Sequence, residues 1–121
     1  MKAIPLVFNA DAQGAQAPWF EFTALWGFTL VAIDLACQTF TGAPTSMNVD
    51  INDDGTAIVT TLPSVATAGT PATWRTKHVG GTIDSVYVAK DSIVAIDLNF
   101  VAGTTPTGTD IACTLWVLPD A

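Results

Sequence analysis

The stretch VAIDLNF, residues 94–100, alternates large apolar side chains with small or polar ones. Successive side chains of a β-strand point to opposite faces. This period of two therefore predicts a strand with one face in the core and the other exposed to solvent or in contact with a partner. Three further segments repeat the pattern: residues 29–37, 47–51 and 111–117. In the first of these, unbroken alternation places Leu30 on the face opposite Ile33 and Leu35.

Clusters of Gly, Pro, Asn, Asp and Thr separate these segments and indicate turns. Shorter strands are predicted over residues 3–8, 18–24, 56–62, 72–78 and 85–89. No run places apolar residues at helical spacing. We therefore predict an all-β fold: a single antiparallel β-sandwich domain of jelly-roll type over residues 1–121, with about eight strands. Residues 1–16 are predicted to form an extended N-terminal arm. The longer segment from Met1 to about Trp26, interrupted by Pro5, Gly14 and Pro18, is predicted to form much of the contact with a larger partner or with neighbouring subunits.

The composition is unusually poor in charge for a water-exposed domain. Charged residues make up 12% of the chain, against roughly 25% in an ordinary soluble domain. Hydrophobic residues make up 50%, and the mean hydropathy is +0.44. A small domain places most of its residues at or near the surface, and a lone monomer rarely exposes large apolar patches. We infer that part of the surface is covered by copies of the chain or by a larger partner.

The charges that are present are mostly acidic. Eleven Asp and Glu against four Lys and Arg give a net charge of −7, which argues against nucleic-acid binding because that needs clustered cations. A basic cluster of Arg75, Lys77 and His78 is too small to reverse this balance. No stretch approaches the ~18 apolar residues of a membrane span, and the N-terminal apolar run does not fit a signal peptide. We expect neither a nucleic-acid partner nor a membrane.

The segment DINDDG, residues 50–55, resembles the start of a calcium loop because oxygen-bearing side chains occupy alternate positions. A helix-flanked calcium loop carries a glutamate at its twelfth position, where this chain has Thr61. The flanking residues have strand patterning, and the pair Asp54-Gly55 favours a tight hairpin turn. We interpret the segment as the tip of a hairpin, with a weak calcium site as the alternative.

The inventory of catalytic groups is small. His78 is the only histidine, no serine lies in a G-x-S-x-G motif, and no glycine-rich loop is followed by the lysine that phosphate binding needs. We predict that the protein is not an enzyme and that it uses no cofactor or metal. Cys37 and Cys113 are predicted to be buried thiols rather than a disulfide.

Aromatic residues are concentrated in PWFEFTALWGF, residues 18–28. Alternation along a strand would place Trp19 on one face and Phe20 and Phe22 on the other, so that a tryptophan is exposed. Burial in the core, a subunit interface and a sugar-stacking platform are all compatible with this pattern. Our interface candidates are Pro5, Leu6, Phe8, Trp19, Phe20, Phe22, Trp26, Trp74 and Trp116.

The C-terminal two thirds of the chain has a recognisable layout. Its elements are Asp50-Ile51-Asn52, a hairpin at Gly55-Thr56, a long strand pattern from Val88 to Asp97, a Gly/Pro/Thr loop from Gly103 to Gly108, and a final strand with Asp110-Ile111 and Leu115. This layout resembles the small β-sandwich modules of tailed-bacteriophage virion proteins, such as capsid decoration proteins and head or tail fibre domains.

The resemblance implies a virion structural protein, specifically a capsid decoration (cement) protein that binds the assembled shell and reinforces it by burying surface. The implied partners are the major capsid protein or another virion protein, and further copies of the chain, in that family often as a trimer. The implied location is the capsid surface, after synthesis in the host bacterial cytoplasm. The alternative is a carbohydrate- or receptor-binding module of a phage fibre or a secreted enzyme.

Overall fold

Two antiparallel β-sheets face each other across one hydrophobic core. The computed structural model describes residues 3–67, 72–75 and 87–120. The strands are β1 (Ile4–Gly14), β2 (Gln16–Thr23), β3 (Phe28–Ala36), β4 (Thr39–Thr41), β5 (Ser46–Asp53), β6 (Thr56–Ala57), β7 (Ser64–Ala66), β8 (Ala72–Arg75), β9 (Tyr87–Val88), β10 (Ile93–Val101) and β11 (Thr107–Pro119). Sheet A has the order β1-β11-β3-β8, with β4 and β9 beside β11 and β3, and sheet B has the order β2-β10-β5-β6, with β7 beside β5.

The chain passes back and forth between the sheets and pairs its strands in a nested order. The first strand, β1, pairs with the last, β11; β2 pairs with β10, and β3 pairs with β8. This rolled-up arrangement is that of a jelly roll, and it confirms the predicted all-β sandwich. Within the described residues, the strands beyond the predicted eight are short pieces such as β6 and β9. No helix that could span a membrane occurs in that part of the chain.

The core is built from the inward-facing positions of both sheets, as the alternation predicts. Its most deeply buried members on the long strands are Met47, Val49 and Ile51 of β5, Val94, Ile96 and Leu98 of β10, and Ile111, Cys113, Leu115 and Val117 of β11. Burial of this apolar surface is the main favourable contribution to folding. The period-two prediction is confirmed for these three strands.

The strand β3 departs from the predicted alternation. Its register with β11 shifts between Ala32 and Leu30, so that Val31 has no direct partner, as in a β-bulge. Leu30 and Ile33 are consequently both buried in the core. The prediction that these two side chains lie on opposite faces is wrong, because the bulge depends on how β3 pairs with β11 and not on the pattern of β3 itself.

The N-terminal segment is part of the sandwich. Residues 4–14 form β1, which pairs with residues 107–117 of β11 along its length. The prediction of a separate arm over residues 1–16 is therefore corrected: in the described residues this segment is an edge strand and its linker to β2. An edge position tolerates Pro5, which cannot donate a hydrogen bond to a second neighbouring strand.

Candidate interaction site

An apolar groove opens on the side of the sandwich where β1 and β2 form the edges of the two sheets. Its volume is about 210 Å³. The side chains that matter most for its shape are Leu6, Phe8, Phe22, Leu25, Trp26 and Val117. None of these six carries a charge, so the groove favours an apolar occupant over a charged one.

Aromatic rings pack against one another at the groove. Phe8 of β1 lies 5.1 Å from Phe20 and 5.7 Å from Phe22, measured between ring centroids. Both distances fall within the range of favourable aromatic pairs. Phe8 therefore joins the edge of sheet A to the edge of sheet B.

The loop of residues 24–27 forms the rim of the groove and is held at both ends. The N–H of Ala24 donates to the Ser92 carbonyl at 2.8 Å, and the Gly27 carbonyl accepts from the Asp120 N–H at 2.9 Å. Between these anchors Leu25 is 71% exposed and Trp26 is 44% exposed. Two large apolar side chains are thus held out in water on a fixed loop, which is typical of a contact surface.

Gly27 is needed for this loop geometry. A Cβ atom at this position would collide with the Tyr87 hydroxyl and the Asp120 carboxylate. These two groups form a hydrogen bond of 2.6 Å, in which Tyr87 donates. The hydrogen bond raises the pKa of the Tyr87 phenol. The close approach of the loop backbone to this pair explains why a glycine follows Trp26.

Four of the predicted interface residues line the groove: Leu6, Phe8, Phe22 and Trp26. Phe20 and Trp19 pack beside it against the core. Trp74 lies in β8 opposite Ile33, and its side chain is outside what the structure describes. Pro5 and Trp116 lie elsewhere, on the outer face of sheet A.

Trp19 is not on an exposed face opposite Phe20, as alternation predicted. Its ring lies 4.6 Å from that of Phe20, and both are partly buried against the core. The reason is an irregularity in the pairing of β2 with β10: Phe20 lies opposite Ile96, but the next pair joins Gln16 to Leu98. Two extra residues of β2 therefore lie in this interval and break the alternation.

The outer face of sheet A is largely uncharged along β1 and β11. Pro5 lies opposite Trp116, and Val7, which is 56% exposed, lies opposite Thr114. The indole N–H of Trp116 donates to Asp34 Oδ2 at 2.8 Å. Asp34 lies opposite Thr114 on this face. One oxygen of its carboxylate is thus engaged by a hydrogen bond, whereas Oδ1 is buried without a partner among the described residues.

The outer face of sheet B is acidic instead. Asp50 of β5 lies opposite Asp97 of β10, and Glu21 of β2 lies opposite Ala95. Burial, together with the neighbouring charge of Asp97, raises the pKa of the Asp50 carboxyl. Asn52 Nδ2 donates to Asp97 Oδ2 at 3.3 Å. The two faces of the sandwich therefore differ strongly in polarity.

The segment DINDDG is a hairpin, as interpreted. Asp54 and Gly55 both have positive φ, 49° and 83°, and they connect β5 to β6 in a two-residue turn. Asp54 Oδ1 accepts a hydrogen bond of 2.8 Å from the Ile93 N–H, which ties the turn to the start of β10. Within the described residues, no three His, Cys, Asp or Glu side chains converge on a point that could hold a metal ion.

Both cysteines are buried free thiols, which confirms that prediction. Burial raises the pKa of Cys113 to about 12. Burial also raises the pKa of Cys37, whose thiol donates to the Thr39 carbonyl at 3.2 Å. A thiol is nucleophilic only as the thiolate, so neither group is poised for chemistry.

Sequence reasoning missed Leu25 and Val7, the two most exposed of the large apolar side chains in the described residues. Leu25 has a local signal: it belongs to an apolar pair between a strand and Gly27, where a polar turn is the usual choice. Val7 has none, because its exposure depends on which face of β1 the tertiary fold covers. Lys77 and His78 of the basic cluster lie outside the described residues.

No protein-family model matches the chain, and no curated protein sequence matches it. Among solved structures it is similar to a chain in the acidic stable capsid structure of Helicobacter pylori bacteriophage KHP30, with 11% sequence identity, a TM-score of 0.47, and coverage of 99% of this chain and 92% of that one. It is also similar to a chain of the cyanophage Pam1 capsid asymmetric unit, with 20% identity, a TM-score of 0.47, and coverage of 98% and 87%. A family 35 carbohydrate binding module from Clostridium thermocellum shows 10% identity, a TM-score of 0.43, and coverage of 92% and 98%. At these identities the similarities assign no residue a role.

Proposed function

We propose that this protein is a virion structural protein, a capsid decoration (cement) protein that binds an assembled shell and reinforces it by burying surface. The observation that carries the proposal is the separation of two kinds of surface on one small sandwich. Pro5, Val7 and Trp116 form part of a largely uncharged outer face on sheet A, where Asp34 is hydrogen-bonded to Trp116, whereas Glu21 and Asp97 belong to an acidic outer face on sheet B.

A protein that lies on a larger particle needs this kind of polarity. The covered side gains stability when apolar area leaves water, at roughly 25 cal/mol per Å². The opposite side stays in solvent, where net negative charge keeps particles apart. The acidic composition of the chain, with a net charge of −7, supports the second role. The low total charge and the layout that resembles phage virion modules support the first.

We further propose that the partners are the major capsid protein or another virion protein, together with further copies of this chain, as a trimer in the simplest arrangement. The protein would then be made in the bacterial cytoplasm and would act on the outer surface of the capsid. In this role it is not an enzyme, because it works by covering seams between shell subunits. Sheet A is the side that we assign to these contacts.

The test uses point variants, because deletion of residues 1–16 would remove β1 from sheet A and disturb the fold. Tailed-phage particles assembled in cells that make the protein are imaged by electron microscopy, and bound protein is counted by mass spectrometry. We expect Val7→Glu to reduce occupancy at least tenfold. The matched control Thr56→Glu, at an exposed position of sheet B, should leave it unchanged. Particles that carry no copy of the wild-type protein would refute the proposal.

A second function, glycan binding, is favoured by one observation: the indole of Trp26 is held partly exposed beside an apolar groove. Sugar rings stack on such exposed aromatic faces. In this case oligosaccharides should shift the tryptophan emission of the wild-type protein but not that of Trp26→Ala. An emission that is unchanged by a panel of oligosaccharides would exclude this alternative.

A further inference from the structure

The free edge of β1 is long and almost uncharged. β1 has eleven residues and, among the strands of residues 3–67, 72–75 and 87–120, pairs on one side only, with β11. Asp11 is its single charged residue, and Pro5 near its start is its single proline. An edge strand of this kind presents unpaired backbone N–H and C=O groups, which are a template for one more strand.

The other edges in the described residues are short or protected. β2 forms the corresponding edge of sheet B, but it carries Pro18, Glu21 and the pairing irregularity with β10. Proline, charge and bulges are the means by which proteins block pairing at an edge. Each of the two strands has one proline and one charged residue, so the irregularity of β2, which the pairing of β1 with β11 lacks, is the difference between them. β6 and β7 contain two and three residues. β1 is therefore the edge at which strand addition meets the least obstruction.

The apolar groove lies directly beside this edge. Leu6 and Phe8 contribute to the groove from β1, and Phe22 and Leu25 contribute from the β2 side. The side chains of an added strand that share the face of Leu6 and Phe8 would point into it. A cavity of about 150 Å³ lined by apolar side chains can hold a benzene ring, so a groove of about 210 Å³ has room for one aromatic or branched aliphatic side chain.

The surroundings of the groove indicate the charge of the occupant. The carboxylate of Asp120 lies beside the rim loop, close enough to collide with a Cβ atom at Gly27. A second copy of this chain, with a net charge of −7, therefore suits this rim less well than a cationic segment does. An occupant with cationic side chains next to its apolar ones would be attracted instead.

We propose that β1 and the adjacent groove form a strand-addition site for an extended segment of another protein, with an apolar side chain for the groove and Lys or Arg at its ends. Main-chain hydrogen bonds to β1 supply general affinity, and the groove selects the side chain, as in other complexes that form by strand addition. This site goes beyond the proposed function, because it requires neither a capsid nor self-association.

The probe is a synthetic peptide of about nine residues, the usual length of a strand, with the sequence KTVTFTVTK. It is titrated into isotope-labelled full-length protein, and amide chemical shifts are followed by NMR. We expect saturable binding, with the largest shifts in residues 4–14 and 23–28. A peptide that is N-methylated at alternate backbone positions cannot complete the hydrogen-bond ladder and should bind at least tenfold more weakly.

Protein variants test the groove separately from the edge. Trp26→Ala should weaken binding by about tenfold, because tryptophan is enriched among the residues that dominate binding energy. Leu25→Ala should weaken it less, by a few-fold, through the loss of buried apolar area. The matched control is Val101→Ala, since Val101 is also a well exposed apolar residue, at 47%, at the far end of β10. Replacing the peptide phenylalanine by alanine should weaken binding by a similar factor, and replacing both lysines by glutamates should weaken it further.

Three results would overturn the proposal. One is equal binding of the N-methylated and unmodified peptides. Another is a set of shifts confined to the outer face of sheet A or to β2. The third is a dimer that forms through β1 at low concentration and is not displaced by the peptide, because the occupant would then be a second copy. None of these results depends on phage particles, so the outcome is separate from that of the decoration test.

Discussion

Phe8→Ala is the substitution that best tests how the two sheet edges are held together. Phe8 contacts both Phe20 and Phe22 across the sandwich. A fully buried Phe→Ala change costs about 3–5 kcal/mol. Phe8 is partly buried and borders an open groove, so a smaller cavity is left, and we expect a loss of about 2–3 kcal/mol. About 1 kcal/mol of this comes from each aromatic pair.

This loss converts into a measurable change in melting temperature. An unfolding entropy of about 2.1 cal/mol/K per residue gives roughly 0.25 kcal/mol/K for a chain of this length, so Tm should fall by about 8–12 °C. Urea unfolding followed by circular dichroism gives the free energy directly. The matched control is Val7→Ala, the next residue on the opposite face of β1, which should cost about 0.5 kcal/mol. Equal losses of unfolding free energy for the two variants would refute the idea that the contacts of the Phe8 ring with Phe20 and Phe22 hold the two sheet edges together.

Three other predictions follow from single positions. Asp50→Asn should stabilise the protein by about 0.5 kcal/mol at neutral pH, because the raised pKa of Asp50 shows that its charged form is disfavoured in the fold. This gain in stability should vanish as the pH falls through the raised pKa, because protonation of Asp50 then removes the same charge. Gly42 and Gly55 both have positive φ, so each change to Ala should lower the free energy of unfolding, measured by denaturant titration, by about 1 kcal/mol. The loss should be larger at Gly42, where a Cβ atom would also collide with the Thr104 carbonyl. Cys113, with a pKa of about 12, should react with iodoacetamide only after unfolding, as measured by mass spectrometry.

Local pattern was sufficient for much of the fold. The inward-facing residues of β5, β10 and β11 could be predicted because alternation is a property of a single strand. The Asp54-Gly55 turn could be predicted because the tolerance of positive φ belongs to those two residues. For the interaction site, the aromatic residues of β2 and the rim loop stand out in the sequence. Four of the interface candidates, Leu6, Phe8, Phe22 and Trp26, line one groove, and their role in an interface stays a prediction.

Features that depend on a partner strand could not be predicted in this way. The bulge in β3 and the irregularity in β2 arise where two strands pair, and they reverse the expected faces of Leu30 and Trp19. The same holds for the N-terminal segment, whose apolar residues fit an arm or an edge strand equally well until β11 is placed beside it.

The sequence by itself determined the class of the fold, because alternation is set residue by residue, and its low charge content motivated the proposal of a covering partner. Only the tertiary structure shows which apolar surfaces such a partner could reach. Only the nested pairing of β1 with β11 and of β2 with β10 brings Phe8 onto Phe22 and leaves one long edge free beside a groove. Contacts between residues far apart in the chain depend on which strands pair with each other, and a local sequence pattern does not determine that pairing.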